Sequence, residues 1–397
     1  MAVAVGIDVA KEFHWAAAVD ERSGELASRR VDNDPPAIQS LIDELARLQA
    51  EHGPVTVGID VVGGIASLLT AMLREAGFRV VHVPGLAVNR ARQGTTGGEH
   101  KSDPRDARVI ADQVRARAEL RPVEHAGEVD VELRLLVGRR RELVTDQTRR
   151  IGRLRDLLAS IHPGLERIVD PTQKASLVLL SRYVTPVEIR RAGKPRLVNH
   201  LLRAGRLPRP HLERLAEQAL AAATAQQLAL PGERLAAELV RELAQETLAT
   251  RDRLSRLDAQ IEETLARHPD AALIRSLPGM GATLTAEFIA EAGGIGRFPT
   301  PDRLAAAAGL APVLRQSGKV RYLQRARGGN KALKRVLYQS AFCSLGHPAS
   351  RAFYARKRSE GKRHHQAVIA LARRRIDVLH AMLRTRQPYR YEHARAA

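Results

Sequence analysis

Over the first hundred residues the apolar positions come in short runs closed by Gly, Asp or Asn, which is how strands ending in turns read. Residues 3–9 (VAVGIDV), 13–19 (FHWAAAV) and 25–31 (ELASRRV) predict three strands, the last two joined in a hairpin at Glu21-Arg22-Ser23-Gly24. The period then changes. Ile38, Leu41, Ile42, Leu45 and Leu48 recur at helical spacing behind Asp34-Pro35-Pro36, a start signal with proline in the first turn. A strand at 55–60 (VTVGID), a helix at 65–76, a strand at 79–83, a Gly-rich loop at 94–98 and a helix from about Ser102 follow. That order predicts an RNase H-like α/β domain over residues 1–125, although periodicity alone also permits other α/β folds.

From 126 to 268 the apolar period is helical, with two stretches of heptad character. Val137, Val144, Ile151 and Leu158 fall every seven residues beside a second seam of Leu133, Leu154 and Ile161 that is broken by Arg140 and Gln147. Val240, Leu243, Leu254, Leu257 and Ile261 form the later stretch, interrupted by Thr247 and Thr250. Such broken seams fit either an intermolecular coiled coil or an antiparallel helical hairpin. Between them lies a polar, Pro- and Gly-punctuated helical insertion with no chemistry of its own. Residues 269–397 read as a third, mostly helical region. It opens on LIRSLPGMGATLTAEFIAEA, a helix-hairpin-helix pattern in which Gly279 and Gly281 would let backbone N–H groups approach a nucleic-acid phosphate. A plain turn has the same spelling.

Charge changes this picture most near the C-terminus. The chain of 397 residues carries a formal charge of +20, and residues 313–397 hold 21 Lys and Arg against 3 Asp and Glu, so +18 lies there. The same segment has seven of the thirteen aromatics, a mixture suited to phosphate contacts and base stacking. Arg373-Arg374-Arg375 and similar runs wrap around a helix instead of lining one face, which disfavours a lipid-surface helix. A solvated basic tail is the bland alternative. The single cysteine, Cys343, excludes a disulfide framework and a Cys-cluster zinc site. No run of 18 uncharged apolar residues and no secretory leader is present, so a cytoplasmic protein with no membrane association is expected.

Four acids stand out. Asp8 and Asp60 close the first and fourth strands, which are neighbours in an RNase H-like sheet, and Asp103 and Asp106 share one helical face at i, i+3. Convergent carboxylates repel unless cations neutralise them, and hard oxygen donors suit Mg²⁺ and two-metal phosphoryl transfer. Capping competes for part of this set: Ser102 or Asp103 as an N-cap and Asp106 as a dipole partner would explain the helical pair, but not the two strand-end aspartates. An actin-like or sugar-kinase ATPase shares the GID strand, yet its second phosphate turn and adenosine loop are not evident.

Taken in order, VGIDVAK, VGIDVVGG, GEHKSDPRDARVIAD, LPGMG, AAAAGLAPVLRQSGKVR, GGNKALKRVLYQSAF and GKRHHQAVIALARRR closely resemble the IS110-like DEDD insertion-sequence transposases. The resemblance spans roughly 1–125 and 270–390. It implies a RuvC-like N-terminal domain with a metal-binding catalytic tetrad of Asp8, Asp60, Asp103 and Asp106, a coiled-coil middle, and a C-terminal transposase domain whose nucleophile is Ser317. Arg315, Lys319, Arg321 and Arg325 would hold the scissile phosphate, and Lys331 joins the nucleic-acid-binding set. Asp60 stands where the family commonly has Glu, one methylene longer. The resemblance further implies DNA strand cleavage and rejoining with donor and target DNA, a non-coding bridge RNA as guide, and a homo-oligomer, dimer or tetramer. A RuvC-like junction-resolving nuclease and a catalytically inactive nucleic-acid binder are the competing readings.

Overall fold

The computed structural model describes residues 2–390 apart from 95–101, 118, 121, 124–126, 319 and 325. The chain divides into two compact units, Met1–His125 and Ala126–Ala397.

The first unit is a five-stranded sheet in the order β3-β2-β1-β4-β5, with β1 (Val3–Asp8), β2 (Phe13–Val19), β3 (Glu25–Asp32), β4 (Val55–Ile59) and β5 (Arg79–His82). β1 pairs antiparallel with β2 and parallel with β4, which is the RNase H-like arrangement. Helix α1 (Pro35–His52) begins where Asp34 accepts a hydrogen bond from the Ala37 N–H at 2.9 Å, a cap worth about 1 kcal/mol. Its buried stripe contributes more. Ile38, Leu41 and Leu45 pack with Leu69 and Leu73 of α2 (Ser67–Glu75) against Val3, Val5 and Ile7, each large side chain worth ~1.5–3 kcal/mol on burial. On the opposite face Ala4 and Val19 meet Ala111 of α4 (Asp103–Ala116). Because β1 is covered on both faces, it reads as an unbroken apolar run. Helix α3 (Gly85–Gln93) was not expected; its single buried residue, Val88, leaves no stripe to read.

The second unit is built on two long helices, α5 (Glu128–Ile161) and α10 (Glu233–Ala266), joined by α6 (Pro163–Glu166), α7 (Lys174–Leu180), α8 (Pro186–Leu201) and α9 (Arg209–Ala225). Arg267 pairs with Glu132, Arg140 with Asp258 at 2.6 Å and Arg150 with Glu246 at 2.7 Å. One index falls as the other rises, so the two helices lie antiparallel within one chain. Polar contacts at the interruptions run across this pair: Arg140, a break of the first seam, pairs with Asp258, and Arg150 Nη1 donates at 3.0 Å to Oγ1 of Thr250, a break of the second. One end packs Leu154, Leu158, Val240 and Ala244 into the α6–α9 core. The other packs Leu133, Val137, Ile261 and Leu265 with α11 (Ala271–Ser276), α12 (Ala282–Ala292), α13 (Pro301–Ala307), α14 (Lys331–Cys343), α15 (Pro348–Ser359) and α16 (His364–Thr385). Between α13 and α14 runs a hairpin, β6 (Val313–Ser317) and β7 (Val320–Gln324), inside a region expected to be mostly helical. Its apolar residues are exposed on both faces, so no one-sided alternation marks it as a strand pair. Among the described residues, no helix is long and apolar enough to cross a membrane.

Candidate functional site: an acidic strand end and a serine ribbon

The triplet Gly-Ile-Asp occurs twice, and the sheet places both copies in register. Gly6 partners Gly58 and Ile7 partners Ile59 across the parallel β1–β4 pair, so Asp8 and Asp60 leave adjacent strands at the same level. Gly6 lies two residues before Asp8 and therefore on the same face of β1. A Cβ on Gly6 would come within 2.1 Å of the Ala107 carbonyl oxygen and 2.3 Å of the Ala111 nitrogen. Helix α4 thus rests on bare backbone, with Ala107, one residue past Asp106, against Gly6. Ser102, at its N-cap, forms no side-chain cap, which removes the serine version of the capping explanation.

Asp106 is 5% exposed, and both its oxygens accept from Arg92 Nη1 of α3 at 2.9 Å. Asp60 Oδ1 accepts from the Val9 N–H at 3.3 Å, and His82 Nε2 lies 3.2 Å from the Asp60 carbonyl oxygen. Burial pushes the Asp60 carboxyl above its ordinary range; hydrogen bonding from Val9 and nearby His82 oppose this, and the like charge of Asp106 adds to it. Two carboxylates that feel each other at a buried strand end are a donor set suited to a hard cation. Among the described residues, no group of three or more His, Cys, Asp or Glu side chains stands close enough to hold a metal ion, so the four acids are not closed into a chelate. The Gly-rich loop at 95–98 lies outside the described residues.

Ser317 ends β6 at the tip of the ribbon. Gly318, at φ +54°, makes the turn, and Ser317 partners Val320 across it. Arg315 and Tyr322 pair in the same register and share Ser317's face, while Gln316 and Arg321 occupy the other. Arg315 Nε donates to Gln324 Oε1 at 3.2 Å. Lys319 and Arg325 lie outside the described residues. The ribbon's foot is clamped: a Cβ on Gly309 would meet the Gly328 carbonyl oxygen at 2.4 Å, one on Gly329 would meet the Gly309 nitrogen at 2.6 Å, and the Asn330 N–H donates to the Ala307 carbonyl at 2.7 Å. Asn330 also caps α14, and Lys331 follows it, exposed.

The three arginines of α16 have three different settings. Arg373 pairs with Asp302 and Asp377, and exposed Arg374 lies 5.0 Å from the Phe353 ring centroid. Arg375 corrects the expectation that it binds nucleic acid. It is 6% exposed, donates to the Pro278 carbonyl at 2.5 Å and to Ser340 Oγ at 2.6 Å, and burial lowers its pKa to about 10. It fastens the Pro-Gly-Met-Gly turn to α14 and α16. Gly279 belongs to the same joint: at φ +81° its Cβ would come within 2.5 Å of the Ser340 carbonyl oxygen, so internal packing accounts for this glycine. Gly281 starts α12 with open space around it. Arg92 was missed; a lone arginine on a helix without a stripe gives no signal.

Both ends of the chain match transposase families: the IS110 DEDD transposase family over residues 5–163 and the transposase family of IS116, IS110 and IS902 over residues 271–355. The IS900 uncharacterized 42 kDa protein of Mycobacterium paratuberculosis is 44% identical over 97% of this chain and 96% of its own. The IS116 uncharacterized 44.8 kDa protein of Streptomyces clavuligerus is 43% identical over 96% of this chain and 95% of its own. A solved T. thermophilus RuvC in complex with Holliday junction substrate is similar over 31% of this chain and all of its own, at 16% identity and a TM-score of 0.25. An RNase H-like domain and a separate C-terminal domain, both matching transposases, define an enzyme of DNA cleavage and rejoining. The chain belongs to the IS110 family of insertion-element transposases.

Proposed function

We propose that this transposase cleaves and rejoins donor and target DNA through a serine-linked intermediate, with Ser317 as nucleophile and Asp8, Asp60, Asp103 and Asp106 holding Mg²⁺. The observation that supports the reading is the register match of Asp8 and Asp60 at the ends of β1 and β4, together with the buried Asp106 whose charge bears on Asp60. Bound Mg²⁺ would polarise the scissile phosphate and acidify the attacking hydroxyl. Ser317 Oγ gives up its proton and bonds to phosphorus as the bond to the departing sugar oxygen breaks, and that oxygen takes a proton. Attack by a sugar hydroxyl of the other DNA reverses the step, releases Ser317 and rejoins the strand. Arg315, on Ser317's face, binds the non-bridging phosphate oxygens, and Lys319, Arg321 and Arg325 add positive charge for the same DNA strand. Gly281, Lys331 and Arg374 carry backbone phosphates away from the cut.

Ser317 and the tetrad sit in different units, and the reading pairs the serine of one protomer with the acids of another in a dimer or tetramer. A bridge RNA pairs with both DNAs, so part of the +18 segment binds RNA. The test is denaturing electrophoresis of end-labelled DNA after incubation with the full chain, the bridge RNA and Mg²⁺. A protein–DNA adduct lost in Ser317→Ala and in Asp8→Asn is expected. Adduct-free hydrolysis that survives Ser317→Ala would support the junction-resolving nuclease instead, and transposition intact in Asp8→Asn and Asp106→Asn would leave only a binding role.

A further inference from the structure

Arg92 Nη1 stands 2.9 Å from each oxygen of Asp106, which is where a cation chelated by that carboxylate would stand. The guanidinium is held there from its own helix, since Nη2 donates to Asn89 Oδ1 at 2.8 Å, one turn back on α3. Both partners of the ion pair are sheltered, with side-chain exposures of 14% for Arg92 and 7% for Asp106. A pair at this depth is screened little by solvent, unlike the many exposed ion pairs of the chain.

We infer that Arg92 is a built-in counter-cation of the acidic site: a divalent ion that chelates Asp106 from the side Arg92 Nη1 occupies must displace Arg92, and α3 loosens when it does. This rests on the reading of the tetrad as the metal site. The argument is one of geometry and charge. Mg²⁺ takes oxygen ligands at about 2.0–2.1 Å, so it and a guanidinium N–H cannot share the same lone pairs of Asp106. Without a cation, a buried Asp106 beside Asp60 would face uncompensated repulsion, and Arg92 supplies the compensation. Releasing it costs metal affinity. Arg92 is a positioning residue in this scheme, since it touches Asp106 and not the reacting atoms.

The test uses the full chain and Mn²⁺ alone. Binding is followed by electron paramagnetic resonance of free Mn²⁺, and backbone hydrogen exchange of residues 85–93 is followed by mass spectrometry. Arg92→Gln is expected to bind Mn²⁺ about tenfold tighter than the unaltered chain. Asn89→Ala, which removes only the anchor, should bind a few fold tighter and keeps the test alive if Arg92→Gln folds poorly. In the unaltered chain Mn²⁺ should speed exchange in 85–93, whereas Arg92→Gln should exchange fast from the start and ignore the metal. Equal affinities in all three chains, or Mn²⁺ binding that leaves 85–93 unchanged in the unaltered chain, would overturn the inference while the metal reading stands. Absence of any Mn²⁺ binding sensitive to Asp8→Asn, in Arg92→Gln as well, would overturn both.

Discussion

Gly6 and Gly58 face each other across the parallel β1–β4 pair, and each leaves room for α4 on the sheet. The two contacts differ in kind. At Gly6 the neighbours are α4 backbone atoms, whereas at Gly58 the nearest is the Val114 Cγ2 methyl at 2.3 Å. Gly6→Ala must push the whole helix, so it should cost more than ~3 kcal/mol and abolish DNA cleavage although Asp8 is untouched. Gly58→Ala should cost ~1–3 kcal/mol and be rescued in large part by Val114→Ala. Thermal melts of the four chains check this. Equal losses at Gly6 and Gly58 would contradict the seating of α4.

Arg374 and Arg375 are adjacent in sequence but should behave as opposites. Arg374→Gln is expected to leave the melting temperature in place and lower the salt slope of nucleic-acid binding by up to about 0.9. Arg375→Gln strips hydrogen bonds from the Pro278 carbonyl and Ser340, and should cost about 1–3 kcal/mol of stability with the salt slope unchanged.

The Pro-Gly-Met-Gly turn yields a similar contrast. Gly279→Ala combines a left-handed backbone with a contact of 2.5 Å to the Ser340 carbonyl oxygen and should destabilise the C-terminal core. Gly281→Ala meets open space, so any loss of DNA affinity it causes reports on phosphate approach at α12. Melting curves paired with DNA titrations separate the two.

Two histidines make the helical middle sensitive to acid. His162 lies with Nδ1 2.9 Å from the Val184 carbonyl oxygen, and His200 with Nε2 2.7 Å from that of Val178. Burial lowers both pKa values from 6.5. A lowered pKa means the folded chain resists a proton that the unfolded chain accepts. Their contribution is therefore intact above pH 6.5 and is lost as pH falls through the lower, folded-state values. The double variant His162→Asn, His200→Gln keeps a donor at each position without the titration. It should show a smaller drop in stability between about pH 7.5 and about pH 5.5, measured by urea unfolding.

The sheet was legible because its strands carry their own punctuation. The repeated Gly-Ile-Asp marks two strand ends, Asp34-Pro35-Pro36 opens α1, and the observed bounds differ from the expected ones by about a residue. The heptads were legible as long helices, but not their partner, because an apolar seam is indifferent to whether it meets another chain or the same one. In the structure the partner is the same chain, as the ion pairs Arg140–Asp258 and Arg150–Glu246 between α5 and α10 show. The basic run at 373–375 shows what composition hides. Charge at a position says nothing of depth, and Arg375 spends its donors on a carbonyl and a hydroxyl inside the core. Arg92 was invisible for the converse reason: its meaning lies wholly in a partner fourteen residues away on another helix.

Because the Gly309–Gly329 crossing anchors its foot, the serine ribbon acts as a ruler. Deleting one cross-strand pair, for instance Leu314 with Leu323, should draw Ser317 back by about 3.4 Å and turn it to the opposite face, whereas deleting two neighbouring pairs should draw it back by about 7 Å and leave its facing unchanged. With Ser317 as the proposed nucleophile, chains with even shortenings should shift the point at which DNA is joined, and odd ones should silence it.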